Sequence, residues 1–393
     1  MNSKTQASPF YYRVRPPLSE TDFTESIEVQ NKPIDNSSFY FDSLRGSIAF
    51  FLSILKIENN QSLRVGLQVF TCSGMLQVIR ESGDKVVLFD INREYFSSSP
   101  ADIPFDQIDV LILTHLFGIP NPHYEEIAQK CRKHEIILID DLASSVNTEV
   151  DGIPVGSLGD ACAYSYGFDK PLSCYGGGEL VINNEELKNK AREMYKQLPV
   201  ETDRKGQNDL KRLLHYYRLT APDVASRNTH TVNLIEPFLI ANGKMTAGIW
   251  RKSYQLAYNS KAAVLTQSGK IVPRKMNSRK VSLIQFFHRK YREELEERDR
   301  IAWEVLMTLK SKYGGLHIPQ TSSNSQSTLH RPPVLIEDPQ IKSKLINHPN
   351  IQFGAYNWNQ LVVNKHVNYP VANYVTSNLI NIPHWDKGIL RYV

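Results

Sequence analysis

Short apolar runs alternate with helical stretches from about residue 42 to residue 185. Three of these runs are VVLFDI from Val86, DVLILTH from Asp109 and IILIDD from Ile136. They are too short for helices and are continuously apolar, which is typical of parallel strands covered on both faces. Before the last run, the segment YEEIAQKCRKHE places Ile127, Ala128 and Cys131 on one helix face. The alternation predicts a doubly wound α/β domain with a mostly parallel sheet.

The pattern divides the chain into an N-terminal arm (1–40), a large domain (41–200), an insertion (201–275) and a C-terminal part (276–393). The C-terminal part begins with an amphipathic run from Ser282, which predicts one long linker helix ending at Gly314 and Gly315. The serine-rich segment TSSNSQS near Thr321 predicts a loop, and the remainder alternates strand and helix signals suited to a small α/β domain.

Composition, charge and cysteine spacing argue against several classes of protein. With 393 residues, 41% hydrophobic and 22% charged, the chain can bury a sizeable core. The net charge of +5 favours anionic ligands only weakly and does not indicate nucleic acid. The four cysteines form no CxxC pair, which argues against a zinc site or a disulfide framework and for reduced thiols. The first twenty residues lack the apolar core of a signal peptide, so we expect a cytoplasmic protein.

Candidate chemistry lies in two segments. Ser165 and Lys170 stand five residues apart and are followed by the glycine run 176–178. An imine-forming lysine needs a fixed, desolvated place, a hydroxyl can bind phosphate, and glycines allow close approach of the backbone to a ligand. Asp140 and Asp141 end a strand at its carboxyl end, where open α/β sheets bind ligands. One carboxylate there could keep the pyridine nitrogen of pyridoxal phosphate protonated. The alternatives are a surface lysine and a helix cap.

The segment from Thr114 to Asn183 contains HLFG, DD, VGSLGD, YSYGFDK and GGG in that order. In order and spacing it resembles the core of nucleotide-sugar aminotransferases of the DegT/StrS type. The resemblance implies a fold-type-I architecture, with a mostly parallel seven-stranded sheet in the large domain, and pyridoxal phosphate as cofactor. It also implies that Asp141 binds the ring nitrogen, that Lys170 is the Schiff-base lysine and proton shuttle, and that Ser165 is a phosphate ligand.

Further phosphate ligands follow from the same resemblance. The run RGSIAFFLSIL from Arg45 is similar to the family's helix start, where Gly46, Ser47 and Ile48 would hold the phosphate at the positive end of the helix dipole. The alternative is a serine-capped core helix. The run MNSRKVSLIQ is similar to a turn that reaches the neighbouring subunit, so Asn277 would contact the partner's phosphate in a homodimer with shared active sites. The alternative is an ordinary asparagine cap.

Several positions depart from the family pattern. Cys72 stands where an aromatic ring stacks on the cofactor, Ser144 stands where a glutamine contacts it, and Tyr175 and Gly176 replace a glycine-glutamate pair. The insertion mixes basic and aromatic residues, which suits an anionic membrane or a nucleotide-sugar phosphate. A packed helical excursion with solvated charges is the preferred interpretation.

The resemblance implies an aminotransferase that moves an amino group from an amino acid, with glutamate expected, to a keto group of a nucleotide-linked sugar. The setting would be surface-polysaccharide or secondary-metabolite sugar biosynthesis, with no metal and no nucleic-acid partner. Lys170 argues against the family's dehydratase branch, which has histidine there. The altered residues Cys72 and Ser144 leave an alternative open, namely a degenerate relative that acts as a cofactor-binding or regulatory subunit.

Overall fold

The computed structural model describes residues 10–11, 37–57, 61–167, 170–219, 271–346, 348, 351–352, 368–382 and 387–391. Most of the N-terminal arm, and the insertion from 220 to 270, lie outside these residues. Where the insertion is described before residue 220, it contains a helix.

A seven-stranded sheet forms the centre of the large domain. Its strands are β2 (Ser38–Phe41), β3 (Arg64–Gln68), β4 (Lys85–Phe89), β5 (Val110–Thr114), β6 (Ile137–Asp141), β9 (Ala161–Ser165) and β10 (Gly178–Ile182). Their spatial order is β2-β10-β9-β6-β5-β3-β4, and only β10 runs antiparallel to its neighbours. The three apolar runs of the sequence became β4, β5 and β6, so the predicted mostly parallel sheet is confirmed. Every residue of β5 is buried, as expected for a strand covered on both faces.

Helices cover both faces of this sheet. In chain order, the α-helices of the described residues are α1 (Leu44–Leu55), α2 (Ser73–Glu81), α3 (Tyr124–Lys133), α4 (Glu185–Lys196), α5 (Asp203–Leu219), α6 (Ser278–Lys290), α7 (Arg292–Tyr313), α8 (Pro339–Ile346) and α9 (Pro370–Asn378). Residues of α1, α2 and α4 pack on one face, and the predicted buried face of α3 packs on the other. Ile127, Ala128 and Cys131 are indeed buried.

The prediction of one long linker helix from Ser282 is wrong in two respects. The helix begins earlier, at Ser278, because the Asn277 side chain caps it by accepting a hydrogen bond from the Arg279 amide at 3.1 Å. It is also broken at Tyr291, whose ring is buried and lies 5.4 Å from that of Phe287. The second half ends as predicted, at a glycine with positive φ.

The small domain is a three-stranded antiparallel sheet of β11 (Leu316–His317), β12 (Pro333–Ile336) and β14 (Leu379–Asn381), with α8 and α9 beside it. Two further short pairings complete the described strands: β7 (Glu149–Val150) with β8 (Ile153–Pro154), and β1 (Phe10–Tyr11) with β13 (Ile351–Gln352). The small domain contacts the carboxyl edge of the large sheet, since the His330 amide donates to the Phe117 carbonyl at 2.7 Å. The serine-rich segment is a loop, as predicted.

A buried ion cluster anchors the start of the insertion. The Lys280 ammonium lies 3.3 Å from a Glu201 oxygen and 3.1 Å from an Asp209 oxygen, and its side chain is 0% exposed. Lys205 contacts the same two carboxylates from outside and is 51% exposed. Burial alone would raise the pKa of Glu201, but the lysines lower it below its ordinary value.

We expect Lys280→Met to lower the free energy of unfolding by about 3–5 kcal/mol, because it leaves two buried carboxylates short of their cation. Lys205→Met, the matched control, should cost less than about 1 kcal/mol, because its charge is half solvated. Urea unfolding measures both. Since the folded-state pKa of Glu201 lies below the ordinary value of 4.5, the stabilisation is complete above pH 4.5 and is lost as the pH falls through the folded value. Equal losses for the two lysines would contradict this view of the cluster.

Candidate active site

The carboxyl edge of the sheet brings the candidate residues together. Parallel strands β5, β6 and β9 end there with Thr114, Asp141 and Ser165. The loop that carries Lys170 follows Ser165 directly. The first turn of α1 lies at the same edge, because β2 runs parallel to β9 and α1 begins three residues after β2 ends.

Asp141 is a buried carboxyl group with only 3% exposure. One of its oxygens accepts the Ala143 amide at 3.0 Å and the other accepts the Thr114 hydroxyl at 3.4 Å. Burial raises the pKa of Asp141, whereas the Ala143 amide and the positive charge of Lys170 lower it. A cation placed against this carboxylate would therefore stabilise its ionised form. The arrangement suits a protonated ring nitrogen, and that role of Asp141 stays a prediction.

Asp140 points to the other side of the strand, as neighbours in a strand do. It accepts a hydrogen bond from the Tyr124 hydroxyl at 2.7 Å and lies 3.3 Å from Nε2 of His115. It is 0% exposed. Turns, and no helix, follow β6 in the described stretch from 142 to 167, so neither aspartate caps a helix there. The two aspartates thus have different environments, and the positive charge of Lys170 acts to lower the pKa of Asp141.

Backbone hydrogen bonds connect Lys170 and the residues after it to the end of β9. The Lys170 amide donates to the Gly167 carbonyl at 3.1 Å, and the Tyr166 carbonyl accepts the Gly176 amide at 2.9 Å. A Cβ atom on Gly177 would lie 2.3 Å from Met276, and its φ of +145° also favours glycine. The sequence suggests that these glycines allow close approach of a ligand, but the close neighbour of Gly177 is the Met276 side chain. Tyr175 has a φ of +64°, a strained conformation for a residue with a Cβ.

The predicted phosphate amides are already engaged. Helix α1 begins at Leu44, where Ser43 caps it: its hydroxyl accepts the Gly46 amide at 3.1 Å and its carbonyl accepts the Ser47 amide at 3.1 Å. The Ser47 hydroxyl donates to the Leu44 carbonyl at 2.7 Å, and Ile48, the fifth residue of the helix, is in the core. The geometry corresponds to the serine-capped core helix that was the alternative. A phosphate at the Gly46 amide would compete with the Ser43 hydroxyl, and the phosphate roles of Gly46, Ser47 and Ile48 stay predictions.

Asn277 is engaged within its own chain. Besides capping α6, its side-chain amide donates to Asp203 at 2.7 Å, and the residue is 3% exposed. The ordinary cap is thus what the structure shows. A role at a neighbour's phosphate stays a prediction.

The remaining candidates occupy separate positions at the edge. Cys72 is exposed at the start of α2, and its sulfur lies 3.5 Å from the place that a Cβ on Gly74 would take. Ser144 is buried, and Ser165 pairs with Gly178 in the sheet. Their contacts with a cofactor stay predictions.

Among the described residues, no group of three or more histidine, cysteine or acidic side chains could hold a metal ion. Within the same part of the chain, no helix is long and apolar enough to cross a membrane.

Comparisons with known proteins agree with this architecture. Residues 45–223 match the model of the DegT/DnrJ/EryC1/StrS aminotransferase family. The chain is 27% identical over 175 residues to a pleiotropic regulatory protein of Geobacillus stearothermophilus, which covers 44% of this chain and 47% of that protein. It is 24% identical over 169 residues to a GDP-perosamine synthase of Vibrio cholerae, which covers 42% of this chain and 44% of that protein. The matched region spans less than half the length of these relatives.

Similarity to a solved structure extends over nearly the whole chain. The aminotransferase TlmJ from Streptoalloteichus hindustanus superimposes with a TM-score of 0.66 at 16% identity, over 96% of this chain and 93% of that one. This match confirms the expected fold-type-I architecture. Over residues 45–223, the chain is thus similar to the DegT/DnrJ/EryC1/StrS aminotransferase family.

Proposed function

We propose that the protein is a pyridoxal-phosphate-dependent aminotransferase that moves an amino group from glutamate to a keto group of a nucleotide-linked sugar. The observation that carries this proposal is the buried Asp141 carboxylate at the carboxyl edge of the sheet, whose pKa is raised by burial, an effect that the positive charge of Lys170 opposes. The relative that is named a GDP-perosamine synthase supports the sugar acceptor. Such a reaction would serve the biosynthesis of a surface polysaccharide or of a sugar-containing secondary metabolite.

The described residues fit the cofactor. Pyridoxal phosphate supplies an aldehyde that forms imines with amines, and a protonated ring that takes up electron density. Asp141 would hold the ring proton, because its buried carboxylate is surrounded by the neutral donors Thr114 and Ala143 and gains from a cation. Lys170 would provide the amine that binds the cofactor, and would carry the substrate's α-proton once it is released from that link.

The first relative, named a pleiotropic regulatory protein, favours a second candidate, a regulatory subunit that binds the cofactor without catalysis. Mixing the purified protein with pyridoxal phosphate and glutamate separates the two functions. An aminotransferase converts the bound cofactor to its pyridoxamine form, which the absorption spectrum and mass spectrometry of the released cofactor both detect. Binding of the cofactor with no conversion by any amino acid would favour the regulatory role. A screen of keto-sugar nucleotides would then identify the acceptor.

The proposed homodimer makes a prediction about Asn277. If its amide reaches the partner's phosphate, Asn277→Ala should weaken cofactor binding by about 1.5–3 kcal/mol, the value of a hydrogen bond to a charged group. Loss of the α6 cap should also cost about 1 kcal/mol of stability. Titration of the apoprotein with cofactor measures the first effect and unfolding of the apoprotein measures the second. A stability loss with unchanged cofactor affinity would leave only the cap role.

Mixed dimers test whether the asparagine acts across the interface. A chain with Asn277→Ala paired with a chain with Lys170→Ala should form one site with both defects and one site with neither. At a cofactor concentration too low to load Asn277→Ala dimers, about half of the normal activity should then return, relative to either variant alone. Dimers that are confirmed by sizing but recover no activity would contradict the shared site.

A further inference from the structure

Two motifs without an assigned role, HLFG and VGSLGD, meet at Asp140. Its Oδ2 accepts the Tyr124 hydroxyl at 2.7 Å, and its Oδ1 lies 3.3 Å from Nε2 of His115. All three side chains are 0% exposed. A cluster of polar groups that is buried so completely is stable only when its hydrogen bonds are satisfied, and such a network rigidifies its surroundings.

The Tyr124 hydroxyl organises the VGSLGD turn. It donates its proton to Asp140 and accepts the amides of Gly156 and Leu158, both at 2.9 Å. Its one donor and both acceptor positions are therefore used. The turn also closes tightly over the carboxylate, since a Cβ on Gly159 would lie 2.6 Å from Oδ2 of Asp140.

His115 connects the same carboxylate to Asp141. Its Nδ1 accepts the Asn121 amide at 3.2 Å, so the ring proton lies on Nε2 and points to Asp140. Its backbone amide donates to the Asp141 carbonyl at 3.2 Å, and its carbonyl accepts the Ser145 hydroxyl at 2.7 Å. The network therefore holds the main chain on both sides of Asp141.

Side chains of successive strand residues point to opposite faces, so fixing Asp140 fixes the direction of Asp141. We propose that Asp140, His115 and Tyr124 form a positioning network that holds the Asp141 carboxylate against the ring nitrogen of the cofactor. This inference rests on the proposed function. It gives HLFG and VGSLGD a common role, which is to fix the orientation of the Asp141 carboxylate through Asp140.

Tyr124→Phe tests the network, because it removes only the hydroxyl that joins Asp140 to the turn. Tyr195→Phe is the matched control: its hydroxyl donates to the Tyr40 carbonyl at 2.7 Å and it packs with the aromatic rings of Phe39, Phe41 and Phe50, away from Asp141. The readout is the protonation of the ring nitrogen, followed by ¹⁵N NMR of ¹⁵N-labelled pyridoxal phosphate bound to each protein as the pH is varied. In Tyr124→Phe the titration midpoint should fall by about one pH unit. Cofactor affinity should fall about tenfold, as for other residues that orient a ligand from behind.

Thermal unfolding of each apoprotein separates this effect from a loss of fold. If Tyr124→Phe does not fold, Asp140→Asn takes its place, and its midpoint should fall as well. If the wild-type protein shows a measurable midpoint for protonation of the ring nitrogen and the folded variants show the same midpoint, the network would be overturned. The proposed function would remain intact. Wild-type protein that binds no cofactor would overturn the proposed function and this inference with it.

Discussion

Replacing Lys170 by alanine should lower the rate of transamination by about 10²–10⁴-fold, the range expected when a positioned proton-transfer group is lost. The cofactor would lose its covalent link and the substrate would lose the amine that moves its α-proton. Stopped-flow absorbance with glutamate measures the rate. An added small primary amine should restore part of it, because a free amine can take over the proton transfer.

Lys196→Ala is a suitable control for this experiment. Lys196 is an exposed residue of α4 that pairs with Glu193 on the same helix, so its removal should leave the rate unchanged. Normal turnover by Lys170→Ala, with the cofactor bound, would show that another amine does the chemistry.

Asp141→Asn should leave the fold intact and the cofactor bound, and should lower transamination by about 10²–10³-fold, the loss typical of one preorganised electrostatic group. The neutral amide no longer favours a proton on the ring nitrogen, and the ring then takes up electron density less well. The same ¹⁵N measurement that tests the network should show a neutral ring in this variant at pH 7.

The neighbouring substitution Asp140→Asn provides the internal comparison. Because Asp140 acts from behind Asp141, through His115 and Tyr124, its loss should cost less, about 10-fold in rate. Should Asp140→Asn prove the more damaging change and Asp141→Asn the harmless one, the assignment of the two carboxylates would be reversed.

Much of the fold could be predicted because its signals are local and unambiguous. Continuous β-branched runs of five or six residues leave few alternatives to buried parallel strands, and they became β4, β5 and β6. Asp140 and Asp141 then had to lie at the carboxyl edge. Local sequence does not show which of the two would face the cofactor, because the residues that distinguish their environments, Tyr124 and Thr114, come from elsewhere in the chain.

The errors in the predicted linker helix share a cause: the residue at which a helix begins or breaks depends on only one or two side chains. Asn277 starts α6 ahead of Ser282, so that helix start was placed too late. The break at Tyr291 has neither glycine nor proline to mark it. It coincides with a buried ring contact to Phe287, which no local pattern encodes.

The central claim, that Lys170 carries pyridoxal phosphate, can be tested by borohydride reduction of the loaded protein. Borohydride converts the imine between the lysine and the cofactor to a stable bond, and proteolysis with mass spectrometry then locates the modified residue. The account predicts one labelled peptide, containing Lys170, in the wild-type protein and no labelled peptide in Lys170→Ala. Specific labelling at any other lysine, or undiminished labelling of Lys170→Ala, would contradict it.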